Sequence, residues 1–278
     1  MRIQLSQRLY RTIVCVSALP LVMIRSVQSA LVLTLWLALW LLPLSINSAA
    51  ETPEQRWKRA IDRDDATVIW QMLSTADVTL TNDKGKSALM TAARLGDQEL
   101  LQALIARGLS LKGRSFTGGT VLMYAVLGNQ LDMLKFLKQQ VSGIEYLDAQ
   151  STNGWTAIMI AAAKGFDGAV KLLVDDGADP WLADAYQWSP LMRAIDNQHA
   201  GVVRYLLTLP NAPVNQQNEN GSTALHIAVL KGDIESAQLL LASGAKTEIK
   251  DKNSMAAVDI AVANGSGKLL ESLQSHDR

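Results

Sequence analysis

Apolar positions divide the chain into two unlike parts. Residues 30–44 (ALVLTLWLALWLLPL) form a run with no charge and a single hydroxyl side chain, Thr34, broken near its end by Pro43. A second apolar stretch, residues 13–24, precedes it and is interrupted by Pro20. Beyond residue 50 the apolar positions recur instead of running on. Six segments align in register: Ser87-Ala-Leu-Met-Thr-Ala92, Thr120-Val-Leu-Met-Tyr-Ala125, Thr156-Ala-Ile-Met-Ile-Ala161, Ser189-Pro-Leu-Met-Arg-Ala194, Thr223-Ala-Leu-His-Ile-Ala228 and Ala256-Ala-Val-Asp-Ile-Ala261. Their starts are separated by 33, 36, 33, 34 and 33 residues. Each is followed by a second apolar stripe at helical spacing, as in Leu100-Leu101-x-x-Leu104-Ile105 or Val170-x-Leu172-Leu173. The pattern predicts pairs of short helices, repeated along the chain, each too small to bury its own apolar face and stacked on its neighbours to do so.

Turn residues punctuate the repeat at fixed offsets. Gly85, Gly118, Gly154 and Gly221 stand two residues before the Ser/Thr, where a tight hairpin needs positive φ. Gly96, Gly165, Gly232 and Gly265 stand nine residues after that slot, where the first helix must end; Asn129 takes the place in the second copy, and asparagine tolerates the left-handed region. Residues 54–80 read as a degenerate leading repeat, with Val68, Ile69, Met72 and Leu73 as its apolar stripe and Asp62-Arg63-Asp64-Asp65 at its helix–helix turn. The last copy is worn too, as terminal caps of repeat stacks are.

With its Thr-Pro-Leu-His-x-Ala-like segments on a period near 33, the chain resembles the ankyrin-repeat family. The resemblance covers nearly everything after Ala50 and implies an all-α solenoid of about six to seven helix-turn-helix repeats joined by short β-hairpin loops. The repeats begin near residues 82, 115, 151, 184, 218 and 251, after the degenerate one. Proline follows the Ser/Thr only at Pro190, and the family's histidine survives only at His226; Met90, Met123, Met159 and Met192 hold that slot elsewhere. The three-residue insertion around Gln139–Leu147 and the pair Pro210/Pro213 mark altered loops. In this family, hairpin tips and first-helix ends line a concave face that contacts protein partners. The resemblance therefore implies that Phe116, Trp155, Tyr186 and Trp188, at tip positions, form an aromatic ridge. Lys164, Asp196, Asn197 and Lys231, with Arg94 and Leu230, flank it from the helix ends. Neighbouring aromatics are typical anchors of an interface; the competing reading is that they only pack against the next hairpin.

Charge and candidate chemistry narrow the picture. The 278 residues carry 26 basic and 26 acidic side chains, but residues 1–50 hold four arginines and no carboxylate, so the remainder has 22 basic against 26 acidic, a net charge of −4. Nucleic acid is excluded as a partner on that balance, since phosphate binding needs clustered Lys and Arg. Cys15 is the only cysteine, so the repeats can form no disulfide or thiolate metal site. The methionine column reads as flexible core filling, because stacked helices about 8–10 Å apart hold neighbouring thioethers too far apart to share a copper ion. Gly265-Ser266-Gly267-Lys268 lacks the glycine a phosphate loop needs six residues before the lysine, where Val262 stands. No catalytic motif, cofactor site or metal site is evident, and a monomeric, non-catalytic binding protein is expected.

The first fifty residues read as a leader. The run over 30–44 is shorter than the ~20 residues of a spanning helix, and Ser48-Ala49-Ala50 gives a signal-peptidase-like end with cleavage before Glu51. Either the leader is long or translation starts at Met23, which leaves Arg25 as the charged end. The location this implies is the periplasm, with an uncleaved inner-membrane anchor as the alternative. Function is read accordingly as binding of a protein partner in the periplasm. The alternatives are an accessory or protective subunit of a periplasmic enzyme, or a membrane-tethered scaffold.

Overall fold

A computed structural model describes residues 51–141 and 143–276; the proposed leader lies outside the described residues. The leading pair is α1 (Pro53–Asp62) and α2 (Ala66–Met72). Repeats follow as α3 (Ala88–Leu95) with α4 (Gln98–Ala106), and α5 (Val121–Leu127) with α6 (Leu131–Gln140). After a one-turn helix α7 (Ile144–Leu147) come α8 (Ala157–Lys164) with α9 (Asp167–Asp175), and α10 (Pro190–Asp196) with α11 (Ala200–Thr208). The last pairs are α12 (Ala224–Lys231) with α13 (Ile234–Ala242), and α14 (Ala257–Ala263) with α15 (Gly267–His276). First helices stack on first helices from α3 to α14, and second helices on second helices from α6 to α15. This is the predicted all-α solenoid of seven helical pairs.

The repeated Ser/Thr works as an N-cap. Ser87, Thr120, Thr156, Ser189 and Thr223 each accept the N–H three residues on at 3.2–3.5 Å, satisfying a donor the helix leaves orphaned. Methionine in the histidine slot does not abolish the reciprocal bond everywhere: Met90 Sδ accepts the Ser87 N–H at 3.4 Å. His226 does more. Its Nδ1 accepts the Thr223 N–H at 3.2 Å, which leaves Nε2 to donate to Met255 O at 3.1 Å in the next repeat. All four methionines are buried in the core.

The positive-φ slots are properties of the repeat rather than of glycine. Asn129, Gln187, Gln198 and Ser254 adopt φ of +53° to +60° at positions where other copies have glycine. Asparagine adopts this at little cost and glutamine and serine at more; the turn is closed within the repeat, as by Gln187 N–H to Asp184 O and Ser254 N–H to Asp251 O.

Two loops acquired more structure than the sequence indicated. The insertion folds α7, whose Tyr146 packs against the core with its hydroxyl buried near the Leu122 backbone; burial pushes that phenol well above its ordinary pKa. The Asp62–Asp65 turn is only partly solvated. Asp62 accepts from Asn82 Nδ2 at 2.7 Å, and Asp64 pairs with both Lys86 and Arg94, tying the leading repeat to the next.

Candidate protein-binding face

Each hairpin is built on one side chain five residues before the N-cap: Asn82, Ser115, Ser151, Asp184, Asn218 and Asp251. These accept backbone N–H groups of their own hairpin, as Asp184 Oδ1 does from Tyr186 and Trp188, both at 2.9 Å. Such short side chains mimic a backbone turn, and this column went unread in the sequence although it opens every repeat. Tips are then linked one to the next by a backbone ladder. Phe116 N–H donates to Lys84 O, Thr152 to Thr117, Ala185 to Asn153, Glu219 to Tyr186 and Lys252 to Asn220, at 2.9–3.1 Å. The hairpins are thereby held as a continuous edge that does not depend on what their tip side chains are.

On that edge the expected residues separate into two kinds. Phe116 and Tyr186 are 72% and 52% exposed. Phe116 touches the preceding tip, where a Cβ built on Gly85 would lie 2.5 Å from its ring, but most of the ring faces solvent. Trp155 and Trp188 are half-buried and pack against the core. The Arg193 guanidinium, from α10, lies between them, 4.9 Å from the Trp155 ring centroid and 4.5 Å from that of Trp188. Arg193 also pairs with Asp184, whose side chain is 0% exposed. This Trp–Arg–Trp stack crosses from one repeat to the next. It was invisible in the sequence because it joins the residue before one N-cap to the residue four after the following one.

The helix-end residues also differ. Asp196 and Lys231 form a 2.8 Å ion pair between adjacent repeats. Asn197, exposed, bonds back to Arg193 O at 2.9 Å. Lys164, exposed at the end of α8, has no carboxylate within ion-pair distance among the described residues. Lys164, Asn197 and Trp155 are among the residues lining an open groove of about 590 Å³ that also takes in tip residues of the second and third hairpins. The structure thus gathers Trp155, Lys164 and Asn197 at the groove, sets Trp188 behind them in the stack, and leaves Phe116 and Tyr186 on hairpin tips; Asp196 and Lys231 pair one repeat further on. Among the described residues no group of His, Cys, Asp or Glu is arranged to hold a metal, and no helix is long and apolar enough to cross a membrane.

A stack of capped helical hairpins with a ladder of tips defines a repeat solenoid. Residues 58–148, 138–218 and 207–277 match the family described as ankyrin repeats (3 copies), and the chain belongs to that family. It is 30% identical over 196 residues to SH3 and multiple ankyrin repeat domains protein 2 of Homo sapiens, covering 70% of this chain and 10% of that protein. It is 28% identical over 214 residues to the mitochondrial disaggregase of Bos taurus, covering 76% and 31%. To the B-cell lymphoma 3 protein homolog of Mus musculus it is 28% identical over 199 residues, covering 69% and 44%. The chain therefore spans less than half the length of each of these relatives. Among solved structures, the ankyrin repeat domain of Bcl-3 superposes with a TM-score of 0.64 at 24% identity, over 81% of this chain and 99% of that one. The human ASB11 ankyrin repeat domain does so with 0.66 at 20%, over 79% and 96%. These last two likenesses are of fold.

Proposed function

We propose that this chain is a non-catalytic module that binds a protein partner along its hairpin tips and first-helix ends, in the periplasm of a Gram-negative-type bacterium. The observation that carries the reading is the exposure of Phe116 and Tyr186 on an edge whose backbone is already satisfied by the tip ladder. Folding does not need large aromatic side chains there, and exposed rings on a rigid scaffold are what a protein interface uses as anchors. The groove beside them, with Trp155, Lys164 and Asn197, supplies mixed apolar and polar contacts to the same face. Membership of the family supports a partner that is a protein. The periplasmic location is supported by the apolar run of residues 30–44 and by Ser48-Ala49-Ala50. An accessory subunit of an enzyme is a second reading, favoured by the resemblance to a protein named as a disaggregase.

The test is site-specific photo-cross-linking from position 186 in intact cells, with fractionation of the envelope. A periplasmic adduct with a discrete partner, formed by a chain beginning at Glu51, is expected. A chain retaining Trp36 and Trp40 in the membrane fraction overturns the soluble location, and absence of any adduct overturns the binding reading.

A further inference from the structure

The position just before the N-cap runs Lys86, Gly119, Trp155, Trp188, Ser222, Met255 through the six repeats, and the position four after it runs Thr91, Tyr124, Ile160, Arg193, Ile227, Ile260. These two columns face one another across the repeat boundary. Lys86 lies over the Tyr124 ring at 5.7 Å, and Trp155 over Arg193 at 4.9 Å. Gly119 should therefore be partnered by Ile160 and brings no side chain to it. The open groove of about 590 Å³ lies at that place, with Gly119, Tyr124, Leu127, Trp155, Ile160 and Lys164 in its lining. In volume it falls within the about 300–1,000 Å³ of ordinary ligand sites.

Gly119 is not among the residues with positive φ, so the backbone conformation does not demand glycine there. A Cβ there would stand 2.9 Å from Ser115 Oγ and 3.3 Å from the Tyr124 ring, so glycine lets those two groups close in on the backbone and leaves the groove side of the column without the ring that the next two repeats place there as tryptophan. The rim is charged on one side only. Lys164 is the one ionised residue in the lining and is not paired. From α3 to α14, the other cations of the first helices are each paired with a carboxylate, Arg94 with Asp64, Arg193 with Asp184 and Lys231 with Asp196, which leaves Lys164 as the basic group free to meet a partner's charge.

We propose that the groove at Gly119 takes one large aromatic side chain of the partner protein, from an extended segment that carries a carboxylate beside it. The partner's ring completes the tryptophan column, stacked between Tyr124 and Trp155 over Ile160, and its carboxylate meets Lys164. This rests on the protein-binding reading above and names the chemistry of the segment. Apolar insertion supplies the anchor, and the lone lysine sets polarity and register, the division of labour usual at interfaces.

The experiment is fluorescence-anisotropy titration of the full-length protein with a labelled Gly/Ser peptide containing one Asp-Trp-Asp triplet, beside versions with Ala for Trp and with Lys for Asp. The Asp-Trp-Asp peptide is expected to bind saturably, and the two others at least tenfold more weakly. Gly119→Trp, which fills the groove from the protein's own column, is expected to abolish binding; if that variant does not fold, Ala163→Trp fills the same groove from α8. Lys164→Glu should invert the preference between the Asp and Lys peptides. Binding that ignores both the filling and the charge reversal overturns the proposal, as does a failure of the Asp-Trp-Asp peptide to bind. A concentration-dependent dimer that Gly119→Trp dissolves identifies a second copy as the occupant and overturns it too. If the peptide fails while a cross-linked partner still depends on Phe116 and Tyr186, the protein-binding reading stands without this inference; if no partner depends on either surface, both fall.

Discussion

Replacing Arg193 by methionine tests whether the Trp–Arg–Trp stack is a structural clamp. Methionine keeps an unbranched apolar stem between the two rings and removes the charge. Asp184, 0% exposed, is then left without its cation. Removing one partner of a buried ion pair costs about 3–5 kcal/mol. Asp184 keeps two backbone donors, from Tyr186 and Trp188, and the Arg193 side chain is 18% exposed, so the electrostatic part falls to about 2 kcal/mol. Two cation–π contacts at 4.5 and 4.9 Å add about 0.5 kcal/mol each at partly exposed sites. The single variant is expected to lose about 3 kcal/mol in urea denaturation followed by far-UV circular dichroism, or roughly 6–12 °C in melting temperature for a domain of this size. The double variant Asp184→Asn/Arg193→Met leaves no unpaired charge, and Asn82 and Asn218 hold the same hairpin slot in other repeats. Arg193 Nε is moreover buried without a partner, so its removal recovers some desolvation. The double variant is therefore expected to be more stable than Arg193→Met alone by about 1 kcal/mol or more. A double variant as unstable as the single one refutes the clamp, because the stack would then owe nothing to the buried charge.

Other consequences can be checked in the same way. Leu104→Ala and Leu173→Ala, at sites 0% and 1% exposed on second helices, should each cost about 2–5 kcal/mol through cavity formation while the folded fraction binds normally; weakened binding by folded protein would contradict this. Deleting residues 251–278 uncovers the faces of α12 and α13 that α14 and α15 cover, so melting should fall and aggregation rise; unchanged melting would mean the last pair is not part of the stack. The Asp251 carboxyl is held below its ordinary pKa by hydrogen bonds from Met255 and Asn253 N–H and by the Asn253 side chain. Its contribution to stability is thus present above the ordinary carboxylate range and is lost as pH falls through the lowered folded value. Asp251→Asn should flatten the acid limb of a stability–pH curve below about pH 4; an unchanged limb would contradict the assignment.

The repeat register and most left-handed slots were legible in the sequence because each depends on residues within one repeat. Asn129 is an example, placed by its offset alone. Contacts between repeats were not legible. Tryptophans at equivalent slots suggested a common exposed ridge from Phe116 to Trp188, but Trp155 and Trp188 turn inward onto Arg193 while Phe116 and Tyr186 remain outside. Composition could not distinguish these, since the difference lies in which residue of the next repeat faces each ring. The same holds for α7, which a three-residue insertion allowed but did not specify.

The half-buried tryptophans also shift the decisive measurement to the outer rings. Phe116→Ala/Tyr186→Ala removes the two most exposed aromatics of the binding edge without touching the Arg193 clamp or the tip ladder. Affinity for the cross-linked partner should be measured by titration beside the melting temperature of the same samples. At least a tenfold loss of affinity is expected, about 1.4 kcal/mol or more, with melting shifted by no more than roughly 2 °C. A variant that melts far lower, yet whose folded fraction binds the partner as the unmodified protein does, would contradict the account and make these rings part of the fold.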